Sequence, residues 1–137
     1  MEKQNDLQGD FGPVISMYSR AQAIADGVLI DVSAEAHEAG FKVPTAITAT
    51  AWADVVAWSD EDSARQIPQD ERARLHDLLW IAVNLARHHK ATDRMSFQHF
   101  RVPRGGGLWR TPVTLVMVIG PGDGTEPVVT FMLEGDD

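Results

Sequence analysis

The stretch from Asp70 to His89 constrains this chain more than any other. Read at about 100° per residue, Leu75, Leu78, Leu79, Ala82, Val83, Leu85 and Ala86 fall within one arc of roughly 160°. An arc that wide predicts a long helix lying across a sheet, with the remaining elements packed around it. Asp70 can serve as its N-cap, and Glu71 places negative charge in the first turn, where the helix dipole favours it. Arg87, His88 and His89 supply positive charge at the other end. Trp80 breaks the pattern, because it projects to the polar side near His76, Asp77, Asn84 and Arg87. Trp80 and Ile81 therefore need a second layer. The expected cover is the segment Ala49–Trp58 with the N-terminal helices; the alternative is exposure to a partner.

The totals allow one domain. A chain of 137 residues, 44% hydrophobic and 23% charged, can bury about two thirds of its unfolded surface and needs no disulfide or metal to hold it together. Cysteine is absent, which excludes disulfides and thiol chemistry and suits a reducing compartment, so a cytoplasmic location is expected. The N-terminus has no apolar core of a signal peptide, and no run approaches the ~20 apolar residues of a membrane span. No membrane association is expected.

Charge is unevenly spread. Arg87, Lys90, Arg94, Arg101, Arg104 and Arg110 share their segment with one acid, Asp93, for a net +5; the rest carries −13 within a total of −8. His88, His89 and His99 lie in the same basic stretch. Such asymmetry can mark a surface with two kinds of partner. The simpler account is a helix C-terminus and a hairpin edge kept basic to discourage aggregation.

Along the chain, residues 1–13 read as a flexible tail, 14–134 as a single α+β domain and 135–137 as a frayed end. Ser19 can cap a short helix, Arg20 to Asp26, stopped by Gly27. Val28–Val32 is β-rich, with Asp31 as its one charge; it belongs either on a solvated strand face or in a buried site. Its pairing is not set by the sequence. Ser33 is placed as cap of Ala34–Ala39, stopped by Gly40. An extended segment through Ile47 leads to a helix ending near Trp58, with Trp52 and Val56 on one stripe and Ala49 and Ala53 supporting it. Ser59–Asp62 can open another helical turn.

After the long helix the chain turns to β structure. Met95–Val102 alternates, with Met95, Phe97 and His99 on one face and Ser96, Gln98, Phe100 and Val102 on the other. Pro103–Gly107 is a hairpin turn. Val113–Ile119 is apolar throughout except Thr114, as in a central strand covered on both faces. A turn at Gly120–Gly124 precedes a last strand, Val128–Leu133. The expected fold is α+β, with N-terminal helices and one long central helix packed on a C-terminal three-stranded antiparallel meander.

Chemistry is thinly signalled. A helical metal site needs two ligands on one face; His88 and His89 point about 100° apart, and His37 and Glu38 are likewise adjacent. There is no Gly-x-Ser-x-Gly elbow, and Ser19 and Ser33 have simpler uses as caps. His76 with Asp77, or Asp31 with a histidine, could form an acid–base pair, as in almost any chain with twenty acids. Gly105–Gly107 and Gly120–Gly124 run into β segments rather than onto the helix N-terminus that a phosphate cradle requires. No catalytic residue, cofactor or metal is assigned.

Tyr18–Val32 (Tyr-Ser-Arg-Ala-Gln-Ala-Ile-Ala-Asp-Gly-Val-Leu-Ile-Asp-Val) resembles a family of small bacterial proteins of unknown function. The likeness continues in Ala39–Thr48, Gln69-Asp-Glu71, Pro112-Val-Thr-Leu115 and Gly120-Pro-Gly-Asp123, and so covers nearly all of Tyr18 to Leu133. The family is found on plasmids and integrated conjugative elements. The resemblance implies an accessory role in a mobile element and carries over no activity. The basic His88-His-Lys segment departs from the family pattern.

The first functional reading is thus a non-enzymatic protein-binding module, with a homodimer as one form of it. Its candidate surface is Trp80, Asn84, Arg87, His88, Lys90, Arg94, Arg101 and Arg104. Alternatives are an acidic DNA-mimic inhibitor of a defence or DNA-binding protein, and a nucleic-acid binder using residues 87–110 with Phe97, Phe100 and Trp109 as stacking partners. An enzyme would require a deep pocket joining Asp31 or His76 to a second titratable group.

Overall fold

Five helices and five strands follow the chain through residues 18–88 and 92–136, the residues that the computed structural model describes. Expectations for residues 1–17, for His89 and Lys90 and for Asp137 fall outside them. Ser19 accepts from the Gln22 amide and starts α1, Arg20–Ala25. After β1, Leu29–Asp31, the helix α2 spans Ser33–Ala39 and ends at Gly40, whose φ of 121° few other residues adopt. Strand β2, Thr45–Thr48, runs directly into α3, Ala49–Val55, with Thr48 as N-cap. Ser59 and Asp62 form a capping box on α4, Asp60–Arg65. The long helix α5 is Glu71–His88, and the Asp70 carboxylate caps it by accepting from the Ala73 amide at 2.8 Å. Strands β3, Arg94–Arg101, β4, Thr111–Pro121, and β5, Pro127–Leu133, complete the chain.

The expected three-stranded meander is corrected to a five-stranded mixed sheet of order β1-β2-β5-β4-β3. β3, β4 and β5 pair antiparallel as a meander, but β2 adds to β5 in parallel, Ile47 opposite Phe131, and β1 pairs antiparallel with β2. Val28–Val32 thereby gains its partner, through Leu29 opposite Thr48. Strands of three and four residues carry little periodicity of their own, and the parallel pairing joins segments far apart in sequence.

One sheet side presents Ile47, Met95, Phe97, Leu115, Met117, Val129 and Phe131 to Leu75, Leu78, Leu79, Ala82 and Val83 of α5 and to α2 and α3. The Phe131 ring meets Phe41 and Phe97 edge-on, at 6.0 and 6.4 Å. On the opposite side α1 sits near β1 and β5, where Arg20 Nη1 donates to Thr130 Oγ1 at 2.7 Å.

Local corrections follow from packing. Trp80 is not covered by the N-terminal elements: it is 57% exposed, while Ile81 beside it is half-buried. Helix α3 stops at Val55, which frees Val56, Ala57 and Trp58 to turn inward and be buried; Ala53 faces solvent. Ser33 lies inside α2 instead of capping it, and its hydroxyl donates to Asp31 Oδ1 at 2.6 Å.

Candidate functional site

The densest polar cluster lies where the ends of α3, α5 and β3 meet. Arg74 stands at the margin of the apolar arc of α5 and is 5% exposed. Burying a guanidinium is costly unless its donors are met. Here Nε donates to the Val56 carbonyl at 3.1 Å, Nη1 to Gln69 Oε1 at 2.6 Å and to the Val102 carbonyl at 2.9 Å, and Nη2 to the Asp54 carbonyl at 3.4 Å. Burial lowers its pKa from the ordinary arginine value. The Asp54 carboxylate in turn accepts from Arg101 Nε at 2.7 Å.

His99 points inward from β3 beside this cluster, 2% exposed, and its Nδ1 has no hydrogen-bond partner. Burial is the main cause that holds its pKa down, to about 4; Asp77 pulls it up, while Arg101, Arg110 and Arg74 push it further down. The imidazole is therefore neutral at pH 7. Next to it is a space of about 10 Å³, bounded by Arg74, Asp77, His99, Arg101 and Arg110 among others, room for about one water. No serine, threonine or cysteine lines that space. The cluster ties three elements together around a space that holds about one water.

The residues singled out for binding are scattered by the fold. Asn84 Nδ2 donates to the Trp80 carbonyl at 2.7 Å, and His88 Nδ1 lies 2.7 Å from the Asn84 carbonyl, so both are spent on the last turns of α5. Arg87 lies on the same helix, close to Gly40 of the α2 terminus. Arg94 begins β3, whereas Arg101 ends it, at opposite ends of an eight-residue strand. Arg101 is committed to Asp54, and Arg104 Nε to Asp62 at 2.6 Å. The basic segment is thus not one free cationic face. The fold does join α5 to the β3–β4 connection at one point: Asp77, one turn before Trp80, faces Arg110 at 3.8 Å, and Trp109, next to Arg110 in sequence, is 81% exposed. The sequence offers Trp109 only as a nucleic-acid stacking partner.

The motif residues serve architecture. Both Asp123 carboxylate oxygens accept from the first amides of α1, Arg20 at 2.6 Å and Ala21 at 3.0 Å. Arg20 Nη2 donates to the Val129 carbonyl at 2.8 Å, and the Tyr18 hydroxyl donates to Asp26 at 3.0 Å. Asp31 is on the solvated strand face, where it accepts from the Ser33 amide and hydroxyl. Asp123 and Arg74 escaped the sequence reading; an arginine bordering an apolar helix face was the one signal available for the latter.

Among the described residues no three histidine, aspartate or glutamate side chains are grouped to hold a metal, and no helix is long and apolar enough to cross a membrane. Both glycine-rich stretches join strands, the first closed by the Gly106 amide on the Pro103 carbonyl and the second by Gly122 on Glu126. No curated protein and no solved structure matches the chain. A family model matches residues 8–137, nearly the whole chain, and on that match the protein belongs to the family of unknown function DUF6573.

Proposed function

We propose that this protein is a non-enzymatic protein-binding module, serving as an accessory of a mobile genetic element, with its contact surface centred on Trp80 and Trp109. The observation that carries the reading is the exposure of two tryptophans, at 57% and 81%, on neighbouring elements joined through Asp77 and Arg110. Tryptophan is the side chain most enriched at the energetic centres of protein interfaces. Leaving two of them in water is otherwise unfavourable by about 2 kcal/mol each. Nucleic-acid binding is less favoured, because Arg101 and Arg104 are already neutralised by Asp54 and Asp62.

Site-specific photo-crosslinking in the host tests this. With a benzoylphenylalanine at 80 or 109, the same discrete adduct should form at both positions and not at Glu61 on the exposed side of α4. No adduct at either position overturns the reading. Light scattering on wild type and Trp80→Ala then decides whether the partner is a second copy, since a homodimer through this surface should become monomeric.

A further inference from the structure

The small space beside His99 is lined chiefly by hydrogen-bond donors. Arg74, Arg101 and Arg110 border it together with Gln69, Asp77 and His99, so Asp77 is the one acid among three guanidinium groups. Arg74 meets four neutral acceptors, three backbone carbonyls and the Gln69 amide oxygen, and bonds to no carboxylate. A buried cation favours a counter-charge that such partners do not carry. Arg101 spends Nε on Asp54 and Nη1 on Thr111, which leaves Nη2. Arg110 meets Asp77 only at 3.8 Å. With its oxygen taken by Arg74, the Gln69 amide offers its nitrogen as a further donor.

His99 supplies the observation that points to a ligand. It is 2% exposed, and its Nδ1 has no hydrogen-bond partner among the described residues. A buried ring nitrogen left that way forfeits a hydrogen bond, which an ion or a water in the adjoining space restores. The surrounding charge decides between the two. Burial lowers the His99 pKa most; after it, Asp77 raises the value, while Arg101, Arg110 and Arg74 lower it. Three of the four charges that His99 senses are therefore positive. A positive recess of low dielectric favours an anion over a neutral molecule. At about 10 Å³ the space takes one water-sized body and shuts out sulfate, phosphate and carboxylates.

We infer that this space is a binding site for a single monoatomic anion, chloride under ordinary conditions, held by the His99 Nδ1–H with Arg101 and Arg110 as its charged neighbours. The ion gives Arg74 the counter-charge that its carbonyl partners lack, and it joins α5, β3 and the β3–β4 connection at one point.

Chloride titration of the full chain at pH 7 tests this, with ionic strength held constant by methanesulfonate, an anion too large for the space. Raising chloride about hundredfold should lift the thermal midpoint of wild type, relative to His99→Phe, by about 3 °C or more and in a saturable way. Two neighbours with half-exposed side chains should act with opposite signs. Arg110→Gln should weaken the apparent chloride affinity about threefold or more, whereas Asp77→Asn should strengthen it by a similar factor. If water fills the space, the midpoint is indifferent to chloride in all four proteins, and that result overturns the inference. So does a chloride response that persists in His99→Phe, which would place the ion elsewhere. Crystals grown in bromide give the direct observation: an anomalous peak should lie within hydrogen-bonding reach of His99 Nδ1, and bromide found only at other positions overturns the inference.

Discussion

The guanidinium carbon of Arg74 lies 4.6 Å from the centre of the Trp58 ring, so one buried cation is held by an aromatic face and by three backbone carbonyls at once. Removing it leaves the Val56 and Val102 carbonyls buried without their donor. Arg74→Met, which keeps most of the apolar stem, is expected to cost about 3 kcal/mol. Urea denaturation reads this as a lower midpoint at unchanged slope, and a loss under about 0.5 kcal/mol would remove Arg74 from its central place. Arg74→Lys should recover little, because one ammonium cannot span carbonyls on α3 and β3 together.

His99 sets a pH dependence of defined sign. Its folded pKa of about 4 lies below the ordinary 6.5, so the unfolded chain takes up a proton that the folded chain refuses. Stability from this group is complete above pH 6.5 and is lost as pH falls toward 4, by about 3 kcal/mol at most. Wild type should weaken across that window, and His99→Phe should flatten the slope while remaining folded at pH 7. Equal slopes in the two proteins would exclude His99 as the cause.

Asp123 caps α1 from 103 and 102 positions away, through the Arg20 and Ala21 amides. Asp123→Ala is expected to cost about 1 kcal/mol, the worth of a helix cap, and to speed amide exchange in Arg20–Ala25 selectively. Asp123→Asn keeps an acceptor and should fall between the two. Uniform exchange across α1 in wild type and Asp123→Ala would refute the cap.

These residues also mark what was readable in advance. Helix α5, the turn at Pro103–Gly107 and the last two strands were legible because each is specified locally, by a 3.6-residue period, by glycine and proline, or by a run of β-branched side chains. The meander is the part of the sheet that hairpins create. β1 and β2 were not legible as neighbours, since Ile47 finds Phe131 only once the fold has formed. The basic segment misled for the same reason: Asp54 and Asp62, which neutralise Arg101 and Arg104, stand more than forty positions earlier. The helical period places Trp80 on the polar face but leaves open whether another layer covers it, and with Trp80 57% exposed the structure answers that none does.

Gly40 and Gly27 provide a paired test of backbone against packing. Both have positive φ, 121° and 78°, which costs a side chain roughly 1 kcal/mol. A Cβ at Gly27 would meet nothing within 4 Å, whereas one at Gly40 would lie 3.0 Å from Arg87 Nη2 and 3.3 Å from Val83 Cγ2. Arg87 can swing aside, but Val83 is locked in the core of α5. Gly27→Ala should therefore cost about 1 kcal/mol and Gly40→Ala about 2 kcal/mol or more, the excess being the repacking of α2 against α5. Combining Gly40→Ala with Val83→Ala separates the two contributions. If the clash is real, the double variant should be more stable than the sum of the single losses predicts, and strict additivity would leave backbone strain as the whole effect.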